Sequence, residues 1–319
     1  MGYTALYRKF RPTKFSEIVG QEHIKKTLKN QLISDRVGHA YLFNGGRGTG
    51  KTTTAKILAR AVNCLNPKDG EPCNECEICK GALDGSLTDI IEMDAASNNS
   101  VEDVRSIREA VNFLPTKAKY RVYIIDEVHM LSTGAFNALL KTLEEPPEYI
   151  MIILITANEN KLLNTIKSRC LKISFNNLET SDLISYINSV QGMQVPSENL
   201  LKMCNGSIGK LMKVNENLEE YNAVESTTNN FLNGKIPNVV KMLSQFEILY
   251  KSKEIINDLL DYMIVIIYEY INKSKDYRAK FLNLIAIIED TKNRIVLNNN
   301  YDMCIDNLLL KMWEETVEK

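Results

Sequence analysis

The chain has 319 residues, and 39 basic side chains face 40 acidic ones for a formal net charge of −1. That length suits two or three domains with a full hydrophobic core, and the balance excludes a global field that would draw the molecule to nucleic acid or an anionic membrane. Residues 1–11 lack the apolar stretch of a secretory signal and no apolar run nears the roughly eighteen residues of a membrane span, so a soluble cytoplasmic protein with no membrane partner is expected.

In chain order, residues 21–34 read as a polar helix, and Gly38 breaks the chain before the apolar run Tyr41-Leu42-Phe43. Gly45 to Thr52 then reads G-G-R-G-T-G-K-T, and 53–62 is a good helix former. Strand, glycine loop and helix in this order form the context of a P-loop. Glycines let successive backbone N–H groups turn inward around a polyphosphate, which the helix N-terminus also favours. The candidate cradle is Gly45, Gly46, Arg47, Gly48, Thr49, Gly50, Lys51, Thr52 and Thr53, for a nucleotide such as ATP. Lys51 can reach the β- and γ-phosphates, and the Thr52 hydroxyl can sit on Mg2+.

Seven cysteines are an odd number, and four of them, Cys64, Cys73, Cys76 and Cys79, follow C-x8-C-x2-C-x2-C. Four thiolates suit a closed, structural Zn2+ site in a reducing compartment. Free cysteines in a loop, or a redox pair at Cys76 and Cys79, are the alternatives. Cys170, Cys204 and Cys304 sit in apolar surroundings and read as core.

Residues 88–93 form a strand pattern, 96–99 are turn-prone, and Ser100 can cap a helix in which Val101, Val104, Ile107, Arg108 and Val111 recur at near-helical spacing. The β-branched run 121–125 ends on Asp126-Glu127. Paired with a P-loop, this is a Walker B strand: Asp126 holds Mg2+ through water, and Glu127 polarises the attacking water. Ser132 opens a helix that runs to about residue 143 and stops at Pro146-Pro147, and 150–156 is a fourth strand. Alternation of strands and helices predicts a parallel, three-layered α/β domain. His39 and His129 flank the nucleotide strands and read as packing residues, and His23 lies in the polar helix. Arg105, Arg108, Lys117 and Lys119 read as a solvated charged face.

Beyond about residue 175 the pattern is helical: 180–190, 198–203, an Asn-rich stretch 215–233 expected to contain a boundary, then 253–272, 278–293 and 302–317. The first of these long helices is apolar nearly all round, as in a buried bundle helix.

Residues 12–170, about half the chain, resemble the AAA+ core of bacterial DNA polymerase III clamp-loader subunits, most closely the gamma/tau type. The motifs are Tyr7-Arg-Lys-Phe-Arg-Pro12, Ile18-Val-Gly-Gln-Glu22, the P-loop with Ala55-Lys-Ile-Leu-Ala-Arg60, the four cysteines, Glu92-Met-Asp-Ala-Ala-Ser97, Ile125-Asp-Glu-Val-His-Met-Leu-Ser132 and Asn137-Ala-Leu-Leu-Lys-Thr-Leu-Glu-Glu-Pro146. The resemblance implies zinc on the four cysteines and an adenine framed by Tyr7, Arg8 and Arg11 with Val19 and Gly20. It makes Arg169 of Ser168-Arg169-Cys170 an arginine finger acting in trans on a neighbour's ATP, and it places Thr156 beside the nucleotide's sensor position. Residues 158–170 and 304–311 look more like the delta-prime subunit. Gly209 of Gly206-Ser-Ile-Gly-Lys210 stands where gamma/tau carries a sensor arginine, and Ala157 stands at the usual polar sensor position. The fold implied is an AAA+ P-loop α/β core (1–177, with the zinc module at 64–79), a small helical lid (178–220) and an all-α collar for oligomerisation (221–319). Its function would be ATP binding and hydrolysis within a hetero-oligomeric ring of clamp-loader subunits that loads a sliding clamp onto primer-template DNA. The alternative is a delta-prime-like stator that binds nucleotide, hydrolyses little and supplies a finger to its neighbour.

Overall fold

The computed structural model describes residues 11–98, 111, 113–190, 192–274, 278–297 and 299–317. Tyr7, Arg8 and the helix expected after Ser100, with Arg105 and Arg108, lie outside the described residues. The chain forms two compact units, Met1–Ser189 with Asn205–Lys210, and Val190–Cys204 with Leu211–Lys319.

The first unit is built on a five-stranded parallel sheet: β1 (Ala40–Gly45), β2 (Ile90–Asp94), β3 (Arg121–Asp126), β4 (Ile150–Thr156) and β5 (Leu171–Phe175), in the order β2-β3-β4-β1-β5. All of β4 is buried, which explains why its sequence is an unbroken apolar run: a central parallel strand is covered on both faces. Its neighbours fill two cores. Leu42, Tyr123, Ile152 and Leu154 point to one, closed by Phe136, Leu139 and Leu143. Tyr41, Phe43, Ile124, Ile153 and Ile155 point to the other, closed by Leu28, Ile57 and Leu58. The helices concerned are α1 (Glu22–Ile33) and α2 (Lys51–Val62) on one face and α4 (Thr133–Glu144) on the other, so the expected three layers are present. Between them in sequence lies the short α3 (Glu77–Asp84). Ser132 caps α4 by accepting the Ala135 N–H at 3.3 Å, the role its position predicted.

β5 was not expected. It is an edge strand with mostly exposed side chains, so Leu171-Lys-Ile-Ser-Phe175 lacks the apolar density that marks the others.

Asp89, fully buried just before β2, holds the approach to β3. Its carboxylate accepts the backbone N–H groups of Thr116, Lys117 and Ala118 at 2.8 to 3.1 Å, with an Arg121 guanidinium nitrogen at 3.5 Å. Burial opposes its charge, but these donors outweigh it and hold the carboxyl below the usual range.

The first unit also contains α5 (Asn164–Lys167) and α6 (Thr180–Ser189). Described helices of the second unit include α7 (Glu198–Cys204), α9 (Leu218–Leu232), α10 (Val239–Gln245), α11 (Glu247–Lys251), α12 (Ile256–Lys273), α13 (Arg278–Val296) and α14 (Tyr301–Val317), while α8 (Ile208–Glu216) carries the chain into it. α9 occupies most of the Asn-rich stretch 215–233. The asparagines look like a linker in sequence, but Tyr221, Val224, Phe231 and Leu232 make a buried stripe, and Tyr221 meets Tyr262 of α12 edge-on at 5.6 Å. Among the described residues no helix is long and apolar enough to cross a membrane.

Candidate nucleotide site and cysteine cluster

The P-loop leaves the C-terminal end of β1 and enters α2 through Gly50. Gly48 has φ +75°, and a Cβ there would lie 2.1 Å from Ser207 Oγ and 3.2 Å from the Gly209 nitrogen. Only glycine fits between the loop and the 206–209 turn. The close approach is mutual: a Cβ on Gly209 would stand 3.3 Å from the Gly48 Cα, so this turn leaves little room for a side chain in place of Gly209.

Lys51 is buried and donates from Nζ to the carbonyls of Gly45 and Gly46 at 2.8 and 2.5 Å. Burial presses its pKa below the ordinary lysine value, against the pull of the Asp126 and Glu127 carboxylates. Thr49 Oγ1 donates to the Gly46 carbonyl at 2.8 Å, which stiffens the loop from within. Thr52 Oγ1 donates to Asp126 Oδ2 at 2.7 Å.

These groups line a cleft of about 560 Å³: Arg47, Gly48, Lys51 and Thr52 from the P-loop, Asp126 and Glu127 from the end of β3, and Glu92, Met93 and Asp94 from the end of β2, with Ile124. The β2 residues add two carboxylates that composition and spacing did not single out as site residues; the parallel register Asp94↔Asp126 brings them there. A cleft at the carboxyl ends of parallel strands, beside a helix N-terminus and a hydroxyl–carboxylate pair, can hold a polyphosphate with its divalent cation.

Other expected site residues lie elsewhere. Thr156 is fully buried and does not line the cleft; its Oγ1 accepts the Asn158 N–H at 3.0 Å and is bonded to His129 Nδ1 at 3.1 Å. Ala157 is exposed, so Thr156 is the polar group at this strand end that reaches inward. Thr53 sits half-buried in the first turn of α2. Arg11 is exposed and Val19 half-buried, and neither lines the cleft. Arg169 donates from Nη2 to Glu144 at the end of α4 (2.8 Å) and from Nη1 to the Thr165 carbonyl (2.8 Å). His129, read from sequence as packing, is 3.4 Å from Glu127 Oε2.

The sulfurs of Cys64, Cys73, Cys76 and Cys79 all lie within 4.8 Å of one another, and Cys73 Sγ is 3.9 Å from Cys79 Sγ. A tetrahedral ion with metal–sulfur bonds of about 2.3 Å sets its sulfurs about 3.8 Å apart. Backbone N–H groups point at the sulfurs: Cys73 at Cys64 (3.2 Å), Glu75 and Cys76 at Cys73 (3.4 and 3.3 Å), and Cys79 at Cys76 (3.4 Å). The Glu75 and Cys76 donors pull the Cys73 thiol down to about 6, so thiolate is favoured there, whereas burial raises Cys64. The donor set fits a structural ion such as zinc. Burial drives the Cys170 thiol up to about 12, as an inert packing residue requires.

The cysteine module also holds the segment before α1. Glu71 accepts the N–H groups of Phe15 and Ser16 at 2.7 and 2.9 Å and pairs with Lys29, while Asn74 donates to Thr13 Oγ1 at 3.1 Å and Arg60 to the Thr13 carbonyl.

The sheet order, the P-loop after β1 and the acidic end of β3 define an AAA+ P-loop α/β core. The family described as DNA polymerase III, delta subunit, matches residues 20–179, half of the chain, and the chain belongs to that family. It is 56% identical over 190 residues to the DNA polymerase III subunit tau of Bacillus subtilis, covering 60% of this chain and 34% of that one. Identity to the DNA polymerase III subunit gamma of Buchnera aphidicola subsp. Schizaphis graminum is 40% over 245 residues, covering 76% of this chain and 66% of that one. To the Escherichia coli subunit tau it is 46% over 183 residues, covering 57% and 28%. The chain thus spans about a third of the length of the tau relatives. Among solved structures, a gamma subunit-related protein of DNA polymerase III from Thermotoga maritima shares the fold, with a TM-score of 0.51 at 18% identity over 91% of this chain and 98% of that one.

Proposed function

We propose that this chain is an ATP-binding and ATP-hydrolysing subunit of the DNA polymerase III clamp loader, working in a ring with other loader subunits to place a sliding clamp on primer-template DNA. The observation that carries this reading is the convergence of Lys51, Thr52, Asp126 and Glu127 on one cleft. The gamma and tau relatives, named as subunits of DNA polymerase III, support its assignment to that assembly.

In this reading the loop amides from Gly45 to Thr53 cradle the phosphates, and Lys51 exchanges the Gly45 and Gly46 carbonyls for the β- and γ-phosphates. Thr52 and Asp126 would hold Mg2+, which supplies charge neutralisation between the phosphates. Glu127 polarises the attacking water, since phosphoryl transfer needs positioning and charge stabilisation more than covalent help. Tyr7, Arg8, Arg11 and Val19 frame the adenine, Arg169 serves a neighbouring subunit's site, and Cys64, Cys73, Cys76 and Cys79 hold a structural zinc ion. Residues 1–177 act as the core, 178–220 as the lid and 221–319 as the collar.

The test is ATP turnover by the purified chain, alone and mixed with the other loader subunits, the sliding clamp and primed DNA. Turnover that rises severalfold in the full mixture supports the proposal. A chain that neither associates with those subunits nor responds to clamp and DNA contradicts it.

A further inference from the structure

Glu127 is held on one side and approached on the other. Its Oε1 accepts from Arg47 Nε and Nη2 at 3.1 and 2.9 Å. Its Oε2 is buried and, among the described residues, takes no hydrogen bond, although His129 Nδ1 stands 3.4 Å away. The backbone creates this approach: Glu127 has φ +47°, and this left-handed turn starts the short 3-10 helix Val128–Met130, which folds His129 back beneath the carboxylate.

The same Nδ1 lies 3.1 Å from Thr156 Oγ1, at the end of the adjacent strand β4, and that oxygen already accepts the Asn158 N–H at 3.0 Å. Two proton arrangements are open to the ring. With Nδ1 bare, its lone pair faces a desolvated carboxylate oxygen that has no other donor among the described residues. With the proton on Nδ1, that proton lies between two acceptors, Thr156 Oγ1 and Glu127 Oε2. The second arrangement is favoured because an unpaired buried anionic oxygen is costly, and the partner of one ring nitrogen decides which nitrogen carries the proton.

We propose that His129 is a positioning residue for Glu127. Thr156 fixes the imidazole, the Nδ1–H fixes the Oε2 edge of the carboxylate, and Glu127 is thereby aimed at the cleft for its work on the attacking water. His129 touches neither nucleotide nor water in this account; it acts through Glu127. The inference rests on the ATPase reading above.

The experiment uses the full chain with its partner subunits, clamp and primed DNA, and measures kcat together with equilibrium ATP binding for His129→Ala, His129→Asn, Glu127→Gln and the double variant of His129→Ala with Glu127→Gln. His129→Ala is expected to lower kcat about tenfold or more, because a catalytic group misplaced by even 1 Å loses most of its advantage, and to leave the ATP dissociation constant within about twofold. His129→Asn, whose amide nitrogen falls near the Nδ1 position, is expected to recover most of the loss. In the Glu127→Gln background, removal of His129 is expected to add nothing. The inference is overturned if His129→Ala leaves kcat intact, or if the two losses multiply in the double variant. Should His129→Ala not fold, an Asn variant as slow as Glu127→Gln overturns it as well. A turnover indifferent to Glu127→Gln would instead remove the ATPase reading, and the inference with it.

Discussion

Thr52 Oγ1 stands 2.7 Å from Asp126 Oδ2, tying the first turn of the P-loop helix to the end of β3 across 74 residues of sequence. A hydroxyl and a carboxylate at this distance make an oxygen pair for a hard divalent cation. Thr52→Val should therefore weaken MgATP binding by about ten- to a hundredfold, the worth of a charge-assisted contact, with little change for ATP in excess chelator. Titration calorimetry with and without Mg2+ reads the difference.

Arg169 and Glu144 form a half-exposed ion pair, the kind worth about 0–1 kcal/mol. Glu144→Gln should leave thermal stability within about 1 kcal/mol of the parent, so the arginine is easily released. Arg169→Ala should leave this chain's own ATP affinity unchanged and slow turnover only in the assembled loader, by about a thousandfold or more, the worth of an arginine finger. Comparing the isolated and assembled proteins separates the two effects.

Metal removal reaches beyond the cysteines. Glu71 and Asn74, within the cysteine module, hold Phe15, Ser16 and Thr13. Stoichiometric zinc is expected by elemental analysis, and its removal should lower the melting temperature and raise hydrogen exchange at the Phe15 and Ser16 amides. Unchanged exchange there would mean that the module keeps its shape without an ion.

Asp89 makes stability fall in acid. Its folded pKa is depressed, so its contribution is full above the unfolded value of about 3.9 and is lost as pH falls through the folded value. Asp89→Ala should cost about 2–4 kcal/mol at neutral pH, since it removes a buried carboxylate that accepts from three backbone N–H donors. It should also flatten the acid limb of a denaturant-midpoint curve against pH.

What was legible in the sequence follows from how strongly each element depends on its own residues. β4 was predicted over the same span that it occupies, because a strand covered on both faces must be apolar throughout. The P-loop and Asp126-Glu127 were legible because phosphate chemistry prescribes residue type and spacing. β5 was not, since an edge strand draws its order from pairing with β1 more than from its side chains. α9 was hidden by Asn222, Asn229 and Asn230, which lie off its buried stripe. His129 could not be assigned from spacing, because its approach to Glu127 depends on a left-handed turn at a non-glycine residue.

The central claim is that this cleft hydrolyses ATP through Glu127, and the most direct measurement is single-turnover hydrolysis of ATP by the wild-type chain and Glu127→Gln, with nucleotide affinity measured in parallel. The account predicts that Glu127→Gln binds ATP as tightly as the parent and loses hydrolysis by about a hundredfold or more. Hydrolysis that survives the substitution, or a parent chain that does not bind ATP, would contradict it.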